Sequence, residues 1–136
     1  MAMSNSILLE VITPERRIFS AQVSELQFPT AYGGIYGILP EHTPLMTPLG
    51  DGLVHYVQGG EKHVLTVFGG FAEVGPEAVT LLARESETTD MIDPDKIEAD
   101  RQSALKLMKD AVSETERSAA KVLLDASTIR LSAVGR

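Results

Sequence analysis

Two different periods of apolar and polar positions run along the chain, and they change over near residue 85. On the amino-terminal side the apolar residues come in short runs closed by glycine and proline, the pattern of strands. Strands are expected at 7–12, 17–28, around 36–39, and at 53–58, 62–68, 71–74 and 79–83. The turn signals between them are Thr13-Pro14, Leu49-Gly50-Asp51-Gly52, Gly59-Gly60, Gly69-Gly70 and Gly75-Pro76,. Short strands with turns at that spacing predict a β-sandwich or barrel. Within 63–68, the neighbours Val64-Leu65 and Val67-Phe68 put apolar side chains on both faces, as expected of a central sandwich strand,.

After residue 85 the apolar positions recur every three or four residues,. Asp93-Pro94 is a helix start, an N-cap acceptor followed by the one helical position where a missing N–H costs nothing,. Ile97, Ala104, Leu105, Met108, Ala111 and Val112 then fall on one face. Ser113-Glu114-Thr115-Glu116 has the form of a capping box and opens a second helix,. That helix carries Ala119, Ala120, Leu123, Leu124, Ala126, Ile129 and Leu131 and ends near Gly135. The fold class expected is therefore α+β, an N-terminal β-sandwich followed by a C-terminal antiparallel two-helix hairpin. Its arms of about 19 residues are roughly 28 Å long. The boundary falls in the polar run 84–90, giving domains at 1–87 and 88–136,. Helices of this length are marginal in isolation, so weak docking is expected and the hairpin is a candidate for movement, a permanently docked hairpin being the alternative.

The stretch 33–52 holds five glycines and three prolines, which excludes helix,. Pro40, Pro44 and Pro48 fix φ at three points and stiffen an exposed ridge suited to a partner protein, a plain loop between strands being the alternative,.

Composition narrows the function classes. The hydrophobic fraction of 43% and charged fraction of 23% are ordinary for a globular protein,. The longest uncharged run, 26–40, is interrupted by Pro29 and glycines and cannot span a bilayer as a helix, so no direct membrane insertion is expected,. The start MAMSNSILLEV has neither a secretory nor a transit-peptide pattern and reads as a mature cytosolic terminus,. Without cysteine there is no disulfide, thiolate nucleophile or Cys-bound zinc, which fits a reducing compartment,. A net charge of -7 argues against nucleic acid and for a protein partner,. His42, His55 and His63 lack metal-ligand spacing, and no nucleophile elbow, P-loop, zincin or dinucleotide fingerprint occurs,. Neither a catalytic site nor a resident metal or cofactor is expected.

Several motifs taken together resemble the epsilon subunit of the bacterial-type F1Fo ATP synthase. They are TPER at 13–16 with Phe19-Ser20, GILPEHTPLMTPL at 37–49, GGFAEV at 69–74, VTLLA at 79–83 and MIDP at 91–94. They follow in order over most of the chain and agree with the independent reading of sandwich then hairpin.

The resemblance implies a non-catalytic central-stalk subunit that couples gamma to the c-ring in proton-driven ATP synthesis. It implies contacts to gamma and the c-ring through the ridge at 31–44, with Tyr32, Gly33, Tyr36, Glu41, His42 and Pro44 as the candidates. It implies a hairpin that can fold back or extend toward alpha and beta and impede hydrolysis, Arg117, Lys121 and Arg130 then facing acidic regions of beta. The place implied is peripheral, at the cytoplasmic face of the bacterial inner membrane. Some family members bind ATP as a regulatory ligand through Ile-Asp-x-x-Arg-Ala, arginines on the second helix and an upstream acid. Here Glu87, Ile92, Asp93 and Arg130 match. Lys96 and Ile97 replace the motif's arginine and alanine, and Ala126 stands where another arginine is expected. Loss of a planar guanidinium fork predicts weak ATP binding or none. Two competing readings are a stand-alone adaptor, which would purify without gamma, and a small enzyme, which would turn over nucleotide alone. A processed mitochondrial homologue is a third, disfavoured by the absent transit peptide.

Overall fold

The computed structural model describes residues 5–136, so the first residues of the amino-terminal reading, 1–4, lie outside it. The chain divides into two compact units, Met1–Thr88 and Thr89–Arg136. Among the described residues, the first holds eight strands: β1 (Ile7–Ile12), β2 (Arg17–Val23), β3 (Glu25–Pro29), β4 (Ile35–Ile38), β5 (Leu45–Pro48), β6 (Asp51–Gln58), β7 (Glu61–Val74) and β8 (Ala78–Thr88). The second holds a short 3-10 turn at Thr89–Met91 and two helices, α1 (Pro94–Asp110) and α2 (Glu114–Ala133).

The strands hydrogen-bond in the order β2-β1-β8-β7-β6-β3-β4, with β5 also on β7. All pairs are antiparallel except β1 with β8. The two longest strands belong to both layers of a sandwich. The first part of β7 pairs with β6 and its last residues pair with β5, while β8 follows it from Leu65 to Val74. One layer is thus β2-β1-β8-β7-β5 and the other β8-β7-β6-β3-β4. Phe19 of β2 and Tyr56 of β6 are far apart in strand order, yet their rings lie 4.8 Å between centroids, so the sheet folds onto itself. Ile7, Leu9, Val11, Phe28, Leu65 and Leu81 fill the space between the layers, together with other buried aliphatic side chains.

Several strand bounds differ from the sequence expectation. The run 17–28 is two strands, broken at exposed Ser24, because the chain passes from one layer to the other there. The second half of the proline ridge is strand β5, with Thr47 and Leu49 buried. Gly69-Gly70 is not a turn: β7 continues through it to Val74 and keeps its register with β8 on both sides. Both glycines have positive φ, at +64 and +112, and bend the strand from one layer to the next,. A Cβ on Gly70 would overlap the Leu82 carbonyl oxygen, so the bend requires glycine there. Lastly, β8 runs on through the polar residues to Thr88, so 84–88 is strand rather than linker. Its polar side chains are held by the ladder: the Thr66 hydroxyl donates to the Glu87 carboxylate at 3.1 Å, and the Ser86 hydroxyl to the Thr66 carbonyl at 2.6 Å. Both faces of β7 are buried from Leu65 to Phe68, as the adjacent apolar pairs predict.

In the second unit the caps match the sequence. Asp93 accepts from the Asp95 and Lys96 amides at 3.2 and 3.4 Å. Ser113 accepts from the Glu116 amide at 3.1 Å, while the Glu116 carboxylate reaches back to the Val112 amide at 3.1 Å,. The helices pack on each other. The buried stripe is narrower than expected: Ile97 and Ala104 on α1, and Ala120, Ser127, Leu131 and Ala133 on α2. Leu105, Val112, Ala119 and Leu123 are exposed. Small polar Ser127 takes the seam position that the apolar pattern assigns to its neighbours.

Candidate partner-binding surfaces

The ridge residues fall into two groups at opposite ends of β5. Tyr32 and Gly33 sit in the tight turn between β3 and β4, closed by the Thr30 amide donating to the Gly34 carbonyl at 2.8 Å. Gly33 takes a φ of +91 there, and Tyr32 is 82% exposed. Tyr36 lies on edge strand β4, its ring 6.0 Å from that of Phe28. The Ala31 amide donates to the Pro48 carbonyl at 3.0 Å and ties this turn to the end of β5.

Glu41, His42 and Pro44 lie in the loop entering β5. Glu41 has a φ of +65, a conformation that side-chain-bearing residues seldom adopt,. It is held there by its amide, which donates to the Pro76 carbonyl at 2.8 Å. The His42 Nδ1 lies 2.6 Å from the Thr43 carbonyl oxygen, which folds the ring over its own backbone. A backbone hydrogen bond to the β7–β8 turn therefore anchors this loop.

Sequence reasoning missed an apolar row on the first unit. On the outer face of the β2-β1-β8-β7-β5 layer, Pro48, Phe71, Leu82 and Ile12 stand opposite one another on successive strands. Phe71 is 52% and Leu82 46% exposed, and Met46 two residues along β5 is 70% exposed. Outward positions of a solvated sheet are normally polar. A contiguous apolar row with polar Glu10, Glu73 and Arg17 around it has the composition of a protein interface,. The signal was present as Leu81-Leu82, where adjacent leucines cannot both point inward.

The helical candidates are engaged locally. Arg117 pairs with Glu114 and Lys121 with Asp125, each at 2.8 Å. Such exposed pairs within a helix are worth about 0.3–0.5 kcal/mol and give way easily to a stronger partner. Arg130 is half-buried toward the end of α2. Asp93 is occupied as the α1 N-cap, and Lys96 pairs with Asp100 at 3.5 Å. Glu87 belongs to the first unit, hydrogen-bonded to Thr66. Among the described residues no cluster of His, Asp and Glu is placed to hold a metal ion, and no helix is long and apolar enough to cross a membrane.

Residues 6–89 match the family described as ATP synthase, Delta/Epsilon chain, beta-sandwich domain. The chain is 39% identical over 125 residues to the ATP synthase epsilon chain of Herpetosiphon aurantiacus, covering 92% of this chain and 91% of that one. It belongs to the ATP synthase delta/epsilon family. A second member, the epsilon chain of Anaeromyxobacter dehalogenans, is 33% identical over 132 residues, covering 96% and 99% of the two chains. Among solved structures, a chain of the Euglena gracilis mitochondrial ATP synthase, OSCP/F1/c-ring in rotational state 1, superposes with a TM-score of 0.81 at 22% identity. That match covers all of this chain and 85% of the other. A chain from the central stalk/c-ring of the Tetrahymena thermophila mitochondrial enzyme gives a TM-score of 0.58 at 13% identity, covering 98% of each. At those identities the likeness is one of fold. Within its family the chain is an accessory subunit of ATP synthase and not the one that carries the catalytic step.

Proposed function

We propose that the chain is a central-stalk subunit that links gamma to the c-ring and carries its hairpin as a regulatory arm on ATP hydrolysis. The observation that carries this reading is the apolar row Pro48, Phe71, Leu82 and Ile12 on one outer face of a stiff, double-layered sandwich. Gamma docks on that row. The Tyr32 turn at the end of β5 and the tethered loop of Glu41, His42 and Pro44 offer the contacts to the c-ring. A joint that transmits torque must not flex, and the strand-through-both-layers construction of β7 and β8 supplies that stiffness.

The hairpin reaches toward alpha and beta, with Arg117, Lys121 and Arg130 exchanging local carboxylates for acidic groups of beta,. The protein works peripherally, at the cytoplasmic face of the bacterial inner membrane. ATP binds weakly or not at all, because Asp93 caps α1, Lys96 pairs with Asp100, and Ala126 offers no guanidinium,. A calorimetric dissociation constant below about 100 μM, roughly 5.5 kcal/mol of binding, would contradict that last point.

The test compares F1 reconstituted with the full chain, with a chain ending at Thr88, and with Phe71→Glu. The shortened chain should bind gamma and hydrolyse ATP faster than the full-length one. Phe71→Glu should fold normally yet fail to bind gamma. Equal ATPase rates with both chains bound would end the regulatory reading, and normal gamma binding by Phe71→Glu would end the docking assignment.

A further inference from the structure

The two helices of the hairpin are joined covalently at one end only, through Ala111, Val112 and Ser113. At the open end no loop joins the first turn of α1 to the last turn of α2, and only side-chain and terminal contacts hold them together. The seam itself is thin. Among the less exposed positions are 97, 101, 104 and 108 on α1, 111 just past its end, and 120, 124, 127 and 131 on α2, the alternating spacing of a helix–helix contact,. Its middle is Ala104, Ala120 and Ser127, which bury little apolar area,. The Ser127 hydroxyl donates to the Leu123 carbonyl of its own helix at 2.9 Å and so adds no bond across the seam.

The end of α2 is built to reach back. Gly135 takes a φ of +84, its amide donates to the Ser132 carbonyl at 3.1 Å, and the Arg136 amide donates to the Leu131 carbonyl at 2.8 Å. This is a Schellman turn, which closes the last carbonyls and reverses the chain. The reversal brings the Arg136 guanidinium to 3.5 Å from the Asp95 carboxylate in the first turn of α1. Its charge also acts on Glu98, one turn further along. Negative charge is favoured in the first turn of a helix, so Asp95 suits its position even without the arginine,.

We propose that Arg136, aimed by the Schellman turn at Gly135, is a latch that holds the open end of the hairpin shut by pairing with Asp95 in the first turn of α1. Most other ion pairs of this unit join residues three or four apart in one helix and say nothing about whether the helices stay together. The Arg136 pair ties the turn that ends α2 to the first turn of α1, so it changes the opening equilibrium directly. The latch acts on the hairpin whether or not the hairpin restrains hydrolysis.

The chain contains no cysteine, so spin labels can be placed on the full-length protein at Ala99→Cys and Ser132→Cys, both exposed and near the open end. Electron–electron distance measurements should show the long-distance, open population rise on the order of two- to five-fold in Arg136→Gln, the range for one exposed pair. Raising the salt should do the same to the labelled parent and much less to Arg136→Gln. Asp95→Asn should also open the hairpin, and adding Arg136→Gln to it should produce a smaller change than in the parent. Arg136→Lys should recover part of the closed population. An Arg136→Gln distribution that superposes on the parent's overturns the latch. So does an undiminished effect of Arg136→Gln in the Asp95→Asn background, since the arginine would then act without its partner. Tyrosine near-ultraviolet dichroism, which reports only the first unit, confirms that each variant retains a folded sandwich.

Discussion

At Gly70 the backbone sits at φ +112 with the Leu82 carbonyl oxygen where a side chain would begin. Gly69, its neighbour, has φ +64, but its missing Cβ faces the Arg84 guanidinium, which can swing away. The two positions should therefore respond differently to alanine. Gly69→Ala should lose about 1–2 kcal/mol, the ordinary left-handed penalty. Gly70→Ala should lose about 3 kcal/mol, because backbone must move as well as twist. Urea unfolding of both variants checks this, and equal losses would mean that the steric term at Leu82 is absent. The same pair shows where residue-level reading stops. Two adjacent glycines mark a place where the chain does something only glycine allows, but a tight turn and a bend within a strand use the same freedom. The partner that decides between them, β8, lies farther along the chain and is invisible to any local window.

Among elements, the helix caps were the most legible because their bonds are local. Asp93 and Ser113 each accept amides two or three residues on, which spacing alone reveals,. Ser113→Ala should destabilise α2 by about 1 kcal/mol, read as a loss of helical dichroism on mild heating. Glu98 adds a pH effect. The Gln102 amide, chiefly, and the charges of Arg101 and Arg136 hold its carboxyl below the ordinary 4.5, against a smaller opposing push from desolvation. A depressed folded value means the contribution is complete above 4.5 and disappears as pH falls through the folded value,. Helix content should thus fall on acidification below 4.5 and hold steady near neutrality, with the acid limb shallower in Glu98→Gln. An acid limb unchanged by that substitution would assign the effect to other carboxylates. The strand β8 was less legible, because its last residues, Glu85 to Thr88, are polar and look like linker. They are strand because the Ser86 hydroxyl donates to the Thr66 carbonyl and the Glu87 amide donates to the Thr66 hydroxyl across the ladder. The apolar row was hidden for the same reason: Pro48, Phe71, Leu82 and Ile12 come from four strands and become neighbours only in the register of the sheet.

For the molecule as a whole, the division into sandwich and hairpin was legible because it is a change of period, which needs no knowledge of pairing. The two units differ in what holds them. The sandwich encloses Phe28, Leu9, Leu26, Ile38, Leu65 and Leu81, all nearly inaccessible to water. The hairpin's buried set is mostly alanine and serine, and a hairpin of two such helices is marginal by itself,. Nature has also separated their spectroscopic signals, since every tyrosine and phenylalanine lies before residue 85 and there is no tryptophan. Near-ultraviolet dichroism therefore follows the sandwich alone, while helical dichroism follows mainly α1 and α2. On heating, the helical signal should be lost at a lower temperature than the tyrosine signal, and the chain ending at Thr88 should keep the tyrosine transition of the full-length protein. Coincident transitions in the full chain, shifted together by truncation, would show that the units unfold as one cooperative body. A separate early transition would instead mean that the hairpin's helices can be lost or rearranged while the sandwich keeps its apolar row intact, which is what a regulatory arm on a fixed joint requires.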